Sequence, residues 1–210
     1  MSKANKSNKA IKYRLYPNDE QKVMFAKTFG CCRFVYNQLL ALQKQRYKDG
    51  ESHLSKLKSN EFATRTLKKD YDFLKEIDKF AVSNAVFHLA DAYDRFFKKQ
   101  NHFPKFKSKR KSKKSYTTNF TNNNILIGKN VIKLPKVGMA KAVIHKLPKD
   151  DWKLKSVTVS QDSVGNYFAS VLFEYEQEDI PSVSKSSTNA IGLDYKSDGL
   201  YMDSNGNKAG

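Results

Sequence analysis

Two groups of residues in this chain have the types and spacing to do chemistry. The first is Phe103 to Tyr116, FPKFKSKRKSKKSY, in which seven of fourteen residues are Lys or Arg and none is acidic. Cations at this density neutralise phosphates and release condensed counterions, while the rings of Phe103, Phe106 and Tyr116 offer flat faces on which unpaired bases stack. Lys105, Lys107, Lys109, Arg110, Lys111, Lys113 and Lys114 are the candidate phosphate contacts, and Lys98 and Lys99 extend the patch. A solvated basic linker has the same composition, so the run alone leaves both readings open. The second group is Asp194, which closes the apolar run Ala190-Ile191-Gly192-Leu193. A carboxylate at a strand end can hold a divalent cation, but phosphodiester cleavage needs several such ligands around two cations. Alone, Asp194 reads more readily as a structural turn residue.

The elements that must position these groups follow from periodicity. Lys9 to Tyr16 alternates, with Ile11, Tyr13 and Leu15 on one face and Lys12, Arg14 and Tyr16 on the other, which predicts a half-buried strand with a basic face. Tyr13 and Arg14 are candidate contacts there. Pro17 ends the strand, and Asn18 with Gln21 has the spacing of a capping box. A helical pattern follows through Phe29, a break is expected near Gly30, and the pattern resumes from Phe34 to Leu42. Helix, turn, helix is how a DNA-binding motif begins, and also how any helical bundle begins. A short helix is expected around Asn60 to Lys69. Asp78 then opens a regular amphipathic helix through Val82, Ala85, Val86, Leu89, Tyr93, Phe96 and Phe97. His88 lies on it without a companion ligand at metal-binding spacing. From Ser115 the period falls to two, giving strands Tyr116 to Phe120, Asn124 to Ile127, Val131 to Leu134, Met139 to His145, Leu154 to Ser160 and Tyr167 to Glu176. Tyr116 and Phe120 are further candidate contacts, and Trp152 reads as a core or edge packer.

The expected fold class is therefore α+β: a small antiparallel barrel or curled sheet of the oligonucleotide-binding sort, with a helical bundle inserted after its first strand. The expected divisions are 1–17 for that strand, 18–102 for the helical insertion, 103–180 for the basic stretch and remaining strands, 181–188 for a Ser-rich linker, and 189–210 for a separate hairpin. That hairpin has strands ending at Asp194 and Asp203, a turn near Ser197 to Gly199 and another at Asn205-Gly206, with no returning strand. Such a hairpin is not expected to fold alone.

Charge sets the partner class. The 210 residues carry a net +18, unevenly: +22 over residues 1–150 and −4 over the remainder. A polyanion partner follows for the first part. No apolar run approaches the ~18 residues of a membrane span, and the first sixteen residues lack the apolar core of a secretory signal. A soluble, intracellular protein with no membrane or small-molecule partner is expected. Adjacent Cys31 and Cys32 fit reduced, packed thiols better than a zinc site or a disulfide.

Four stretches, KYRLYPNDEQ, FGCCRFVYNQLLA, FPKFKSKRKSKKSYTTNF and IGLDYKSDGLYMDSNG, taken in this order from about Ile11 to Gly206, resemble the N-terminal part of the TnpB family. These are the OrfB proteins of transposons, RNA-guided DNA endonucleases related to type V CRISPR effectors. The resemblance implies a wedge-type β-barrel with a helical recognition domain inserted after its first strand. It also implies a RuvC-like nuclease beginning near residue 189, with Asp194 as its first catalytic carboxylate and metal ligand. Guide RNA and double-stranded DNA are the implied partners, Mg2+ the cofactor of the complete nuclease, and the bacterial cytoplasm and nucleoid the location. The family's later catalytic Glu and Asp and its four-cysteine zinc ribbon are not found in these 210 residues. The sequence departs again at Tyr195, where many relatives have a small or aliphatic residue. The expectation is a truncated chain that holds nucleic acid, needs no cofactor for that, and does not cut. A non-catalytic regulator that binds RNA or DNA is the alternative, and a general RNA-binding protein the plainer one.

Overall fold

The structure is a computed structural model that describes residues 5–177, 191–195 and 199–209. It divides into two units, one running to Gln177 and one starting at Glu178. The 181–188 linker and part of the turn expected at 197–199 lie outside the described residues.

In the first unit, β1 (Asn5–Tyr16) leads into α1 (Asp19–Lys48). Short helical turns follow: α2 (Lys56–Glu61), a π-helical turn Phe62–Leu67, α3 (Lys68–Asp70) and a 3-10 turn Asp72–Lys75. Next come α4 (Lys79–Phe97), the basic segment, and strands β2 (Lys114–Asn119), β3 (Leu126–Ile127), β4 (Val131–Leu134), β5 (Gly138–Val143), β6 (Lys153–Gln161) and β7 (Tyr167–Gln177). The seven strands form one antiparallel sheet in the order β2-β6-β7-β1-β5-β4-β3. β1 sits inside it, paired with β7 from Asn5↔Gln177 to Leu15↔Tyr167 and with β5 at Arg14↔Val143 to Tyr16↔Lys141.

Period-two alternation buries one face of this sheet. Ile11, Tyr13, Leu15, Tyr116, Ala142, Val157, Val159, Ala169, Val171 and Phe173 belong to a core shared with Phe25, Phe29, Leu39, Val82 and Val86 of the helices. At its centre Phe25 of α1 stacks on Tyr167, with ring centroids 5.4 Å apart, and Phe29 meets Tyr116 at 5.9 Å. Of the barrel or curled sheet expected, a closed barrel does not form among the described residues: β2 and β3, the ends of the order, do not pair. Two physical reasons account for this. Phe25 and Phe29 of α1 occupy the buried face against Tyr167 and Tyr116 near the β2 end, and β3, two residues long, is too short to carry a closing ladder.

The Asn18–Gln21 capping box forms in both directions, at 2.9 and 3.2 Å. The break expected at Gly30 does not, because α1 runs through it without interruption. A glycine in a helix interior costs about 0.5–1 kcal/mol relative to alanine, less than the burial of Phe29, Cys31 and Cys32 on either side returns. Asp78 precedes α4 as expected, but its carboxylate makes no capping bond and instead accepts the Thr118 hydroxyl at 2.6 Å, tying the start of α4 to β2. Both long helices end in the same double hydrogen-bonded turn. After α1 the pair is Gly50 N to Tyr47 O and Glu51 N to Arg46 O, and after α4 it is Lys99 N to Phe96 O and Gln100 N to Arg95 O. Gly50 takes the left-handed position at φ +74°, and Lys99 takes it at φ +57°.

The second unit is a three-stranded sheet in the order β10-β9-β8, with β8 (Leu193–Asp194), β9 (Tyr201–Asp203) and β10 (Lys208–Ala209). β10 is the returning strand that the sequence did not predict. It pairs through Lys208↔Met202 and Ala209↔Tyr201, and two residues are too short for a periodic signal. Ile191, Leu193 and Leu200 all stay exposed.

A Cβ built on Gly30 meets nothing within 4 Å. Gly30→Ala should therefore raise stability by about 0.5–1 kcal/mol. Lys99→Gly, which removes a side chain from the left-handed region, should add about 0.5 kcal/mol. Urea unfolding followed by circular dichroism checks both, and a Gly30→Ala variant less stable than the parent contradicts the unbroken helix.

Candidate nucleic-acid interface

The basic segment is anchored rather than loose. Phe103 sits edge-on to Tyr93 and Phe96, at 5.6 and 5.2 Å, and Pro104 is buried. The Asn37 side chain on α1 holds the Lys107 backbone from both sides, accepting its N–H at 2.8 Å and donating to its C=O at 2.9 Å. The next residues close a compact turn through serines: Ser108 N donates to Ser112 Oγ at 2.9 Å, and Lys111 N to Ser108 Oγ at 3.0 Å. These contacts hold Lys109, Arg110 and Lys111 at an exposed tip. β2 then begins at Lys114, whose ammonium donates to Gln161 at 3.1 Å. Composition left a solvated linker and a nucleic-acid contact both open here; the hydrogen bonds make it a displayed turn.

Lys107 differs from its neighbours. Its ammonium lies 3.9 Å from the centre of the Tyr36 ring, half-buried, and desolvation lowers its pKa. It anchors the segment from within, whereas Lys98, Lys99, Lys105, Lys109, Arg110, Lys111, Lys113 and Lys114 are exposed. Cys32, beneath the segment, donates to Ala81 O at 3.4 Å, and burial pushes its thiol up to about 12. Both cysteines are free and buried.

The opposite, solvent-facing side of the sheet carries a second cationic surface. Lys12 and Arg14 of β1 reach over the Phe168 ring at 4.2 and 5.0 Å, and Arg14 also lies 5.5 Å from the Tyr16 ring. The Arg14 guanidinium donates to the Asn166 side chain, while its Nε has no hydrogen-bond partner among the described residues. Phe168 faces Arg14 because the β1–β7 register pairs them directly. The sequence shows Phe168 only as one ring in a strand, and without the register its partner is not readable.

The comparisons with known proteins fall on these same elements. Residues 7–52, from β1 to the end of α1, match the HTH_OrfB_IS605 family, described as a helix-turn-helix domain. A protein of Streptomyces pristinaespiralis named "Putative RNA-guided DNA endonuclease" is 30% identical over 202 residues, which is 95% of this chain and 49% of that protein. The Escherichia coli protein named "Putative RNA-guided DNA endonuclease InsQ" is 29% identical over 192 residues, 88% of this chain and 44% of that protein. The chain belongs to the TnpB family. It spans about half the length of these two curated relatives. A Salmonella dublin protein named "Virulence protein VsdF" is 32% identical over 111 residues, 48% of this chain and 93% of that protein.

For this TnpB-family chain the structure separates the candidate residues into three groups. The exposed cations of the basic segment lie together. Arg14 lies on the other face of the sheet: it is out of phase with buried Tyr13 and Leu15, whereas Lys114 shares the phase of buried Tyr116. Two candidates are core residues. Tyr13 is 0% exposed, donates its hydroxyl to Lys146 O at 2.6 Å and packs on His145; Tyr116 is 3% exposed beneath Phe25 and Phe29. Neither ring is available to a base, and burial raises both phenol pKa values. Phe120, just past β2, is exposed and remains a candidate.

Asp194 is exposed on β8, opposite Met202, while Asp203 pairs with Leu193 and so projects from the other face. The Asp203 carboxylate is occupied by the Asn205 and Asn207 amides, and those hydrogen bonds lower its pKa. Among the described residues no three His, Cys, Asp or Glu side chains converge, so these residues do not by themselves fit a divalent-cation site. Among the described residues no helix is long and apolar enough to cross a membrane.

Removing the Asn37 amide tests the anchor. Asn37→Ala should cost about 2 kcal/mol and speed hydrogen exchange at the Lys107 amide, with the core amides of β1 keeping their order of protection. Unchanged exchange at Lys107 would show that the amide is not held by Asn37.

Proposed function

We propose that this chain is the nucleic-acid-binding part of an RNA-guided, transposon-encoded DNA endonuclease, holding guide RNA and double-stranded DNA. The observation that carries the reading is the anchored turn at residues 107–112, which spends hydrogen bonds from Asn37, Ser108 and Ser112 on presenting three adjacent cations to solvent. Lys109, Arg110 and Lys111 take phosphates, Lys98, Lys99, Lys105, Lys113 and Lys114 extend the track, the Lys12–Arg14–Phe168 face offers a second contact, and Phe120 stands exposed just past β2. The names of the Streptomyces and Escherichia coli relatives support RNA and DNA as the two ligands. The proposal covers binding. The metal-ligand role expected of Asp194 needs further carboxylates, and no bond-breaking step is assigned to the described residues.

The test is a salt titration of binding to a structured RNA and to a DNA duplex, followed by fluorescence anisotropy. Reversing Lys109, Arg110 and Lys111 to Glu should weaken binding and flatten the log K against log salt line by roughly 2–3 units. Asp194→Ala should leave both quantities at the parent values. Wild-type affinity and slope in the triple reversal would overturn the assignment.

A further inference from the structure

We propose that the aromatic cavity between the C-terminal ends of α1 and α4 receives a single unpaired base of a bound nucleic acid. The cavity has a volume of about 570 Å³, within the range of small-ligand pockets. Tyr47 and Phe97 stand at it 85% and 64% exposed, large ring surfaces left facing water. Tyr93 is buried behind them, stacked against Phe97 at 6.2 Å, and His53 lies edge-on to Tyr93 at 4.5 Å. Phe103 adds a further wall and belongs to the basic segment itself, so cavity and phosphate track are continuous.

The charge around the rings selects the occupant. Lys44 lies over Phe103 and Phe106 at 5.4 and 4.7 Å, Lys48 lines the cavity, and Lys98 and Lys99 follow directly on Phe97. The acidic lining residue, Glu51, is paired with Arg46, and Asp49 accepts from Gln45. A cationic rim around a π-faced interior suits a phosphate-linked base: the rings stack it while the lysines meet its backbone. An apolar peptide or a second copy of this chain, itself strongly basic over this region, would place that rim against no counter-charge. His53, edge-on to both Tyr93 and Phe97, has its pKa lowered by desolvation. Stacking of this kind tolerates any base, so the site distinguishes unpaired from paired nucleotides rather than one sequence from another.

The inference rests on the nucleic-acid reading above, and the experiment separates the two. The full chain is titrated with two duplex oligonucleotides of equal charge, one fully paired and one carrying a single bulged 5-iodouracil, by anisotropy and by photocrosslinking with peptide mapping. The wild type should prefer the bulged duplex by roughly 10-fold and crosslink at the cavity rings. Tyr47→Ala with Phe97→Ala should abolish the preference while keeping the affinity for the paired duplex and its salt slope. Tyr47→Trp, which keeps a stacking face, should retain it. Equal binding of both duplexes by the wild type, preference surviving in the double variant, or crosslinks mapping away from the cavity would overturn the inference alone. Binding of neither duplex would overturn the nucleic-acid reading as well. Concentration-dependent self-association that the double variant loses, with no bulge preference, would assign the cavity to a second copy instead.

Discussion

The rest of the first unit depends on one constraint: β1 must be flanked on both edges by strands that arrive more than 120 residues later. Its ladder partners are β5 on one side and β7 on the other, and its face carries Ile11, Tyr13 and Leu15 into the core. Until both partners are in place, the strand's backbone groups and three large side chains have no home. Contacts this distant in sequence reward the chain only after a large loop has been closed. Everything between β1 and β2 must therefore leave the sheet and return to it compactly. α1 and α4 do so by packing on the apolar face, and the basic segment is the return leg from α4 into β2.

That topology explains why a run of lysines and serines is ordered. The return leg crosses the flank of α1, where Asn37 meets the Lys107 backbone, and both its ends are tied. At one end Phe103 packs on α4; at the other, Asn84 on α4 donates to Thr117 O at 3.0 Å in β2. The ammonium groups contribute little to the fold. Exposed and solvated, they cost almost nothing to display, and Lys107 alone gives up hydration, compensated in part by the Tyr36 ring.

Features set by neighbours along the chain were legible in the sequence, and features set by partners across the fold were not. The Asn18–Gln21 box, the start of α4 after Asp78 and the strand Val131–Leu134 all follow from local chemistry and appear where the pattern places them. The continuity of α1 through Gly30 follows from what Phe29, Cys31 and Cys32 pack against, which the local glycine signal does not contain. Alternation already placed Tyr13 with Ile11 and Leu15, so assigning its ring to a ligand contradicted the strand's own period. For Tyr116 the buried phase becomes readable only with its partner Val159. The open sheet is of the same kind: strand periodicity says nothing about which edges meet. At the candidate site the cations were legible and their presentation was not, because Asn37 lies seventy residues from the backbone it holds.

The two cationic surfaces constrain the ligand. Lys114 of the basic segment shares the phase of buried Tyr116, whereas Lys12, Arg14 and Phe168 lie on the solvent-facing side of the sheet. A sheet with a packed layer on it separates such faces by about 10 Å or more. β2 is the sheet edge next to the basic segment, and there Asn84 of α4 donates to Thr117 O and to the Asn119 side chain. The fold thus offers a polyanion two distinct cationic surfaces, one on the anchored turn and one on β1.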